Sequence, residues 1–137
     1  MRICVIGGGI AGMACALSAA ARGSQVRLFE AAGLLSVAPG YVEVVPSMMR
    51  DLVALGVGEA CVRAGFAFNG IQVIDRKGRN VGDIPTLRLA GDHYPAALGI
   101  THAGLLRVLE SAALARGVRI SLDAPVDVVE PGHDVNL

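Results

Sequence analysis

Six residues, Gly7-Gly8-Gly9-Ile10-Ala11-Gly12, constrain this chain more than any others. They match G-x-G-x-x-G, a pattern that is weak alone and becomes specific through its surroundings. Ile3 to Ile6 form a short apolar run halted by glycine, which predicts a strand buried on both faces. Ile10, Met13, Leu17 and Ala20 then fall on one face of a helix running to Arg22. Gly23 sits where a left-handed cap would end that helix. Gln25 to Phe29 predicts a second strand, closing on Glu30. Strand, tight turn, helix and strand make a βαβ unit, the building block of α/β folds with a parallel sheet.

Each part of this unit suits a dinucleotide. Gly7 permits the tight turn, and Gly9 lacks the Cβ that would keep the backbone from a pyrophosphate. Gly12 lets the helix approach the sheet. The bend carries no Lys or Arg, so phosphate charge must be met by backbone amides, those of Ile10 and Ala11 included, and by the helix dipole. Glu30 can accept hydrogen bonds from ribose hydroxyls, and its charge disfavours a 2′-phosphate and hence NADP. The cofactor-binding candidates are therefore Gly7, Gly9, Ile10, Ala11, Gly12 and Glu30. The competing reading is a permissive glycine turn beside a solvated glutamate.

Downstream, residues 33–45 are punctuated by Gly and Pro and read as irregular, with an extended piece at Tyr41–Val45. Helices are predicted over Ser47–Leu55 and Glu59–Ala64. Ile71–Asp75 and Asn80–Ile84 flank the polar turn Arg76-Lys77-Gly78-Arg79, a hairpin pattern. Thr101 is a candidate N-cap for a helix with Leu105, Leu109 and Ala112 on one face, stopping at Gly117. Val118–Leu122 predicts a third buried strand, parallel to the first two, and Val126–Glu130 a fourth. The chain thus reads as a single partial domain over 1–137. Residues 1–35 form its βαβ unit, 66–99 an antiparallel excursion, and 101–122 a helix–strand return to the parallel sheet.

Bulk properties exclude several classes. Hydrophobic residues make up 53% of the 137, which rules out a disordered segment. Twelve basic and twelve acidic residues cancel, so neither nucleic acid nor an anionic membrane is the expected partner. Cys4, Cys15 and Cys61 are odd in number and lack C-x-x-C spacing, against a disulfide framework or a zinc site. Cys4 and Cys15 read as small core residues, and a reducing cytoplasm fits. Gly7-Gly8-Gly9 would interrupt the apolar helix of a secretory signal, and no apolar run is long enough for a membrane span.

Four stretches, in order, give a wider resemblance: Ile3–Gly12 with Glu30; Gly40–Pro46 with the helix to Leu55 and Gly56-Val57-Gly58; the hairpin Asp75–Gly82; and Ile100-Thr101-His102-Ala103-Gly104-Leu105-Leu106-Arg107-Val108-Leu109 leading to Gly117-Val118. Together they resemble the FAD-dependent aromatic monooxygenases, the family of the p-hydroxybenzoate, salicylate and ubiquinone-pathway hydroxylases. The resemblance implies a Rossmann-type FAD-binding domain, FAD as cofactor, NAD(P)H as reductant, and oxygen insertion into a small, aromatic substrate. It implies no protein nucleophile, because the cofactor carries the hard chemistry.

Two departures accompany it. The helix near 102 begins in that family with an Arg that contacts the cofactor. Here the position is His102, which offers fewer donors and joins the candidate site on resemblance alone. Family members also run to more than twice this length, placing the later Gly-Asp flavin motif and most of the substrate domain beyond Leu137. Gly91-Asp92 imitates that motif but reads as a loop. Catalytic residues are not assignable, and a homo-oligomer through surfaces left uncovered is expected. Two alternatives stay open: another FAD oxidoreductase of the same fold, such as an amine or amino-acid oxidase, and a non-catalytic dinucleotide-binding domain.

Overall fold

The computed structural model describes residues 1–35 and 39–130, so part of the irregular stretch expected over 33–45 lies outside the described residues. In chain order the elements are β1 (Arg2–Ile6), α1 (Ile10–Ala21), β2 (Gln25–Phe29), β3 (Tyr41–Val44), α2 (Pro46–Ala54), α3 (Gly58–Ala64), β4 (Phe66–Phe68), β5 (Gly70–Ile74), β6 (Asn80–Pro85), β7 (Ala97–Thr101), α4 (His102–Ala115) and β8 (Arg119–Ser121). They fall into two compact units, one from residues 1–35 and 106–130, the other from residues 39–105.

The first unit holds a parallel sheet in the order β1-β2-β8. Val5 lies opposite Leu28, and Leu28 opposite Ile120. The third parallel strand is where the sequence predicts it. Burial on both faces is not: Val5, Val26 and Leu28 are buried, whereas Ile6 is 58% exposed and Gln25 and Arg119 are exposed. The reason is in the alternation. Arg2, Gln25 and Arg119 occupy the opposite parity and are exposed, as charged and polar side chains on the open face of a sheet are. Arg27 lies over the Phe29 ring, 5.6 Å from its centroid.

Helix α1 buries Met13, Ala16 and Leu17. Gly23, at φ +80°, ends it as expected, with Ser24 N–H donating to Ala19 O at 3.2 Å. Cys15 is exposed, which corrects its reading as a core residue; it lies off the stripe formed by Met13, Ala16 and Leu17. Cys4 is only partly buried. Residues 126–130 form no strand either. Val128 and Val129 are each 73% exposed, and a strand exists only through a ladder partner, which they lack among the described residues.

In the second unit β7 is the centre of an antiparallel sheet ordered β3-β7-β4. Val44, Leu98 and Ile100 on these strands, with Met49, Leu52 and Cys61 on α2 and α3, are at most 7% exposed and form the core. Burial pushes the Cys61 thiol up to about 11, so it stays protonated. β5 and β6 form the predicted hairpin, with Ile71 opposite Ile84 and Val73 opposite Gly82. Both strands are exposed along their whole length. Thr101 caps α4 as expected: its Oγ1 accepts from Gly104 N–H at 2.9 Å. No helix among the described residues is long and apolar enough to cross a membrane.

Candidate functional site

The chain leaves β1 through Gly7, whose φ of +100° only glycine adopts freely. Its amide donates to Phe29 O at 2.8 Å, so the bend is tied to the end of β2. Gly9 is the N-cap of α1, at φ −72° and ψ 179°, and has no side chain with which to cap it. Met13 N–H returns to Gly9 O at 2.9 Å. The amides of Gly9, Ile10, Ala11 and Gly12 take no partner among the described residues. They are the orphan donors of a helix start, gathered where the helix dipole is positive.

The glycines act in different ways. A Cβ placed on Gly9 would meet nothing within 4 Å, so the space in front of these amides is open and a side chain would fill it. A Cβ on Gly12 would fall on the Gly7 carbonyl oxygen, which makes Gly12 the condition for helix α1 to close on the bend. Gly8 is a free position of the motif and is not among the candidate site residues. A Cβ there would stand 3.0 Å from Glu30 Oε2. The run of three consecutive glycines, with Gly8 at its middle, is the available signal.

Glu30 turns its carboxylate onto this bend. Oε2 accepts from Gly8 N–H at 2.6 Å, and Oε1 accepts from Ala32 N–H at 3.0 Å. These amides, Ala32 first and Gly8 second, hold its pKa below the ordinary glutamate value, so the group is ionised at neutral pH. An ionised carboxylate has about four acceptor sites, so some remain for hydroxyl donors. The structure therefore brings together Gly7, Gly9, Ile10, Ala11, Gly12 and Glu30. A row of unspent amides faces open space, with a charged acceptor across the neighbouring strand.

His102 belongs to the second unit, where it opens α4. Its backbone N–H donates to Gly40 O at 3.1 Å. Its Nδ1 is buried and has no partner among the described residues.

Residues 2–41 match the family of FAD dependent oxidoreductases. The chain is 33% identical over 113 residues to the phenazine 1,6-dicarboxylic acid hydroxylase of Lysobacter antibioticus, covering 82% of this chain and 27% of that protein. It is 32% identical over 103 residues to the 3-hydroxybenzoate 6-hydroxylase of Klebsiella oxytoca, covering 74% and 26%. Among solved structures, p-nitrophenol 4-monooxygenase from Pseudomonas putida DLL-E4 shares the fold at a TM-score of 0.73 and 21% identity, over 89% of this chain and 32% of that one. The chain thus spans roughly a quarter to a third of the length of the proteins it matches.

Proposed function

We propose that this chain, whose residues 2–41 match the family of FAD dependent oxidoreductases, is the cofactor-holding N-terminal part of a flavin monooxygenase that hydroxylates a small aromatic substrate. The observation that carries the site is the pairing of open space before the Gly9–Gly12 amides with the Glu30 carboxylate at the same bend. Those amides receive the diphosphate of FAD, and Glu30 grips the adenosine ribose. Gly7 shapes the turn, Gly12 closes the helix onto it, and Ile10 and Ala11 present main-chain donors. His102 stays a candidate on the family resemblance, with its buried Nδ1 unpartnered among the described residues. The chain as a whole serves as one partial FAD-binding domain, with residues 66–99 as its antiparallel excursion.

A bound flavin would supply the redox chemistry of such a hydroxylation, with NAD(P)H as reductant and the second oxygen atom of O2 leaving as water. The residues of this chain bind and orient the adenosine half. Support for hydroxylation comes from the named activities of the relatives, two of which are hydroxylases and a third a 6-hydroxynicotinate 3-monooxygenase. The substrate is a small molecule, not nucleic acid, and the protein works in the cytoplasm, where Cys4, Cys15 and Cys61 stay free thiols. A homo-oligomer is part of the same proposal.

The test is oxygen-dependent NAD(P)H oxidation by the full-length protein, with hydroxybenzoates and heteroaromatic acids as substrates. A flavin absorbance spectrum on purification and hydroxylated product are expected. Purification without flavin, and no affinity for added FAD, would overturn the reading. Peroxide released from amines with no hydroxylation would move it to the amine oxidases.

A further inference from the structure

The proposed site depends on where Glu30 stands, and Glu30 is held from an unexpected direction. Its main chain is stitched to the segment that leaves β8. Glu30 N–H donates to Ser121 O at 2.9 Å, and Ala124 N–H donates to Glu30 O at 2.9 Å. Between these, Asp123 N–H donates to Ala32 O at 3.1 Å. Ala32 is the residue whose own amide binds the Glu30 carboxylate. Two consecutive amides, those of Asp123 and Ala124, thus reach two carbonyls of the Glu30 loop. A regular strand cannot do this, because successive amides point to opposite sides.

The kink that allows it is at Asp123, at φ +49°, the only described non-glycine residue with a left-handed backbone. Aspartate and asparagine tolerate this region, whereas a β-branched residue does not. The side chain is confined as well. A Cβ on Gly33 would stand 2.8 Å from Asp123 Oδ1 and 3.0 Å from Oδ2.

We infer that Asp123 is a positioning residue for the adenosine site: its left-handed turn locks the Glu30 loop, and so aims the carboxylate, without touching the ligand. This rests on the reading of Glu30 given above. The test is titration of the full-length protein with ADP, read by calorimetry. Asp123→Val should weaken ADP binding roughly tenfold, the factor that 1.4 kcal/mol makes. Asp123→Gly and Asp123→Asn, which accept the same backbone, should stay within about threefold.

The diagnostic measurement is the cycle with Glu30→Ala. On that background Asp123→Val should cost nothing further, because the group it positions is gone. Should Asp123→Val destabilise the fold, Gly33→Ala is the second probe. It should weaken ADP binding by crowding the Asp123 carboxylate, and Asp123→Gly should restore it. A loss from Asp123→Val that persists in full on the Glu30→Ala background would overturn the positioning role, and so would no loss at all. No ADP binding by the unsubstituted protein would instead remove the site reading itself.

Discussion

Two carboxylates in this molecule do the same local chemistry to different ends. Glu30 accepts main-chain amides from Gly8 and Ala32, and Asp75, at the tip of the β5–β6 hairpin, accepts them from Lys77 and Arg79. Both are held below their ordinary pKa by those bonds. Asp75 also pairs with the Arg79 guanidinium at 2.7 Å, so its acceptors are spent within one turn of chain. Glu30 reaches from the end of one strand to the bend after another, and no cation is paired with it among the described residues. The difference teaches how to tell a staple from a binding group: the first closes on its own neighbours, the second keeps acceptors open beside unspent donors.

That contrast can be broken in graded steps. The largest effect is expected from Gly12→Ala, whose Cβ would fall on the Gly7 carbonyl. It should cost on the order of 3 kcal/mol of stability in thermal unfolding, as overpacking against backbone does. Next is Gly9→Val. Its side chain enters open space at an extended backbone, so the melting temperature should hold while affinity for ADP falls about a hundredfold or more by titration. A retained affinity would disprove the diphosphate assignment.

Glu30→Ala should be milder, roughly tenfold in ADP affinity, because it removes the sugar contact and leaves the amides. Its pH dependence follows from the lowered pKa. The ionised group contributes to binding as long as it stays deprotonated in the folded protein, and that contribution is lost only as pH falls through its lowered pKa. The ratio of unsubstituted to Glu30→Ala affinity should therefore stay flat from neutral pH through the ordinary glutamate range and shrink only below it. A ratio that already falls near pH 6 would contradict the clamp. Asp75→Ala should give the smallest effect: faster amide exchange at Lys77 and Arg79, with ADP affinity unchanged.

Much of this was legible without coordinates. The bend, helix α1, the Thr101 cap and the basic hairpin tip are short-range features, decided by residues a few positions apart. What escaped was non-local. β7 is made of Ala97, Leu98, Gly99, Ile100 and Thr101, and alanine and glycine are poor strand formers. It is a strand because β3 and β4 pair with it on both sides. The continuous apolar run before Thr101 was the one available clue. Cys15 and Val126–Glu130 mislead for the opposite reason: their apolar character suggests burial or pairing, and no partner is at hand among the described residues.

By itself the sequence determined that a glycine bend would join a strand to a helix start and that an acidic residue would end the next strand. Those are backbone terms, settled by the absence of Cβ atoms and by capping within a single turn. The tertiary structure alone decided which face of the parallel sheet is buried, that the Glu30 carboxylate lands on the Gly8 amide, and that Asp123 turns left-handed to hold its loop. Each of these requires segments far apart in the chain to meet, and local propensity does not encode such meetings.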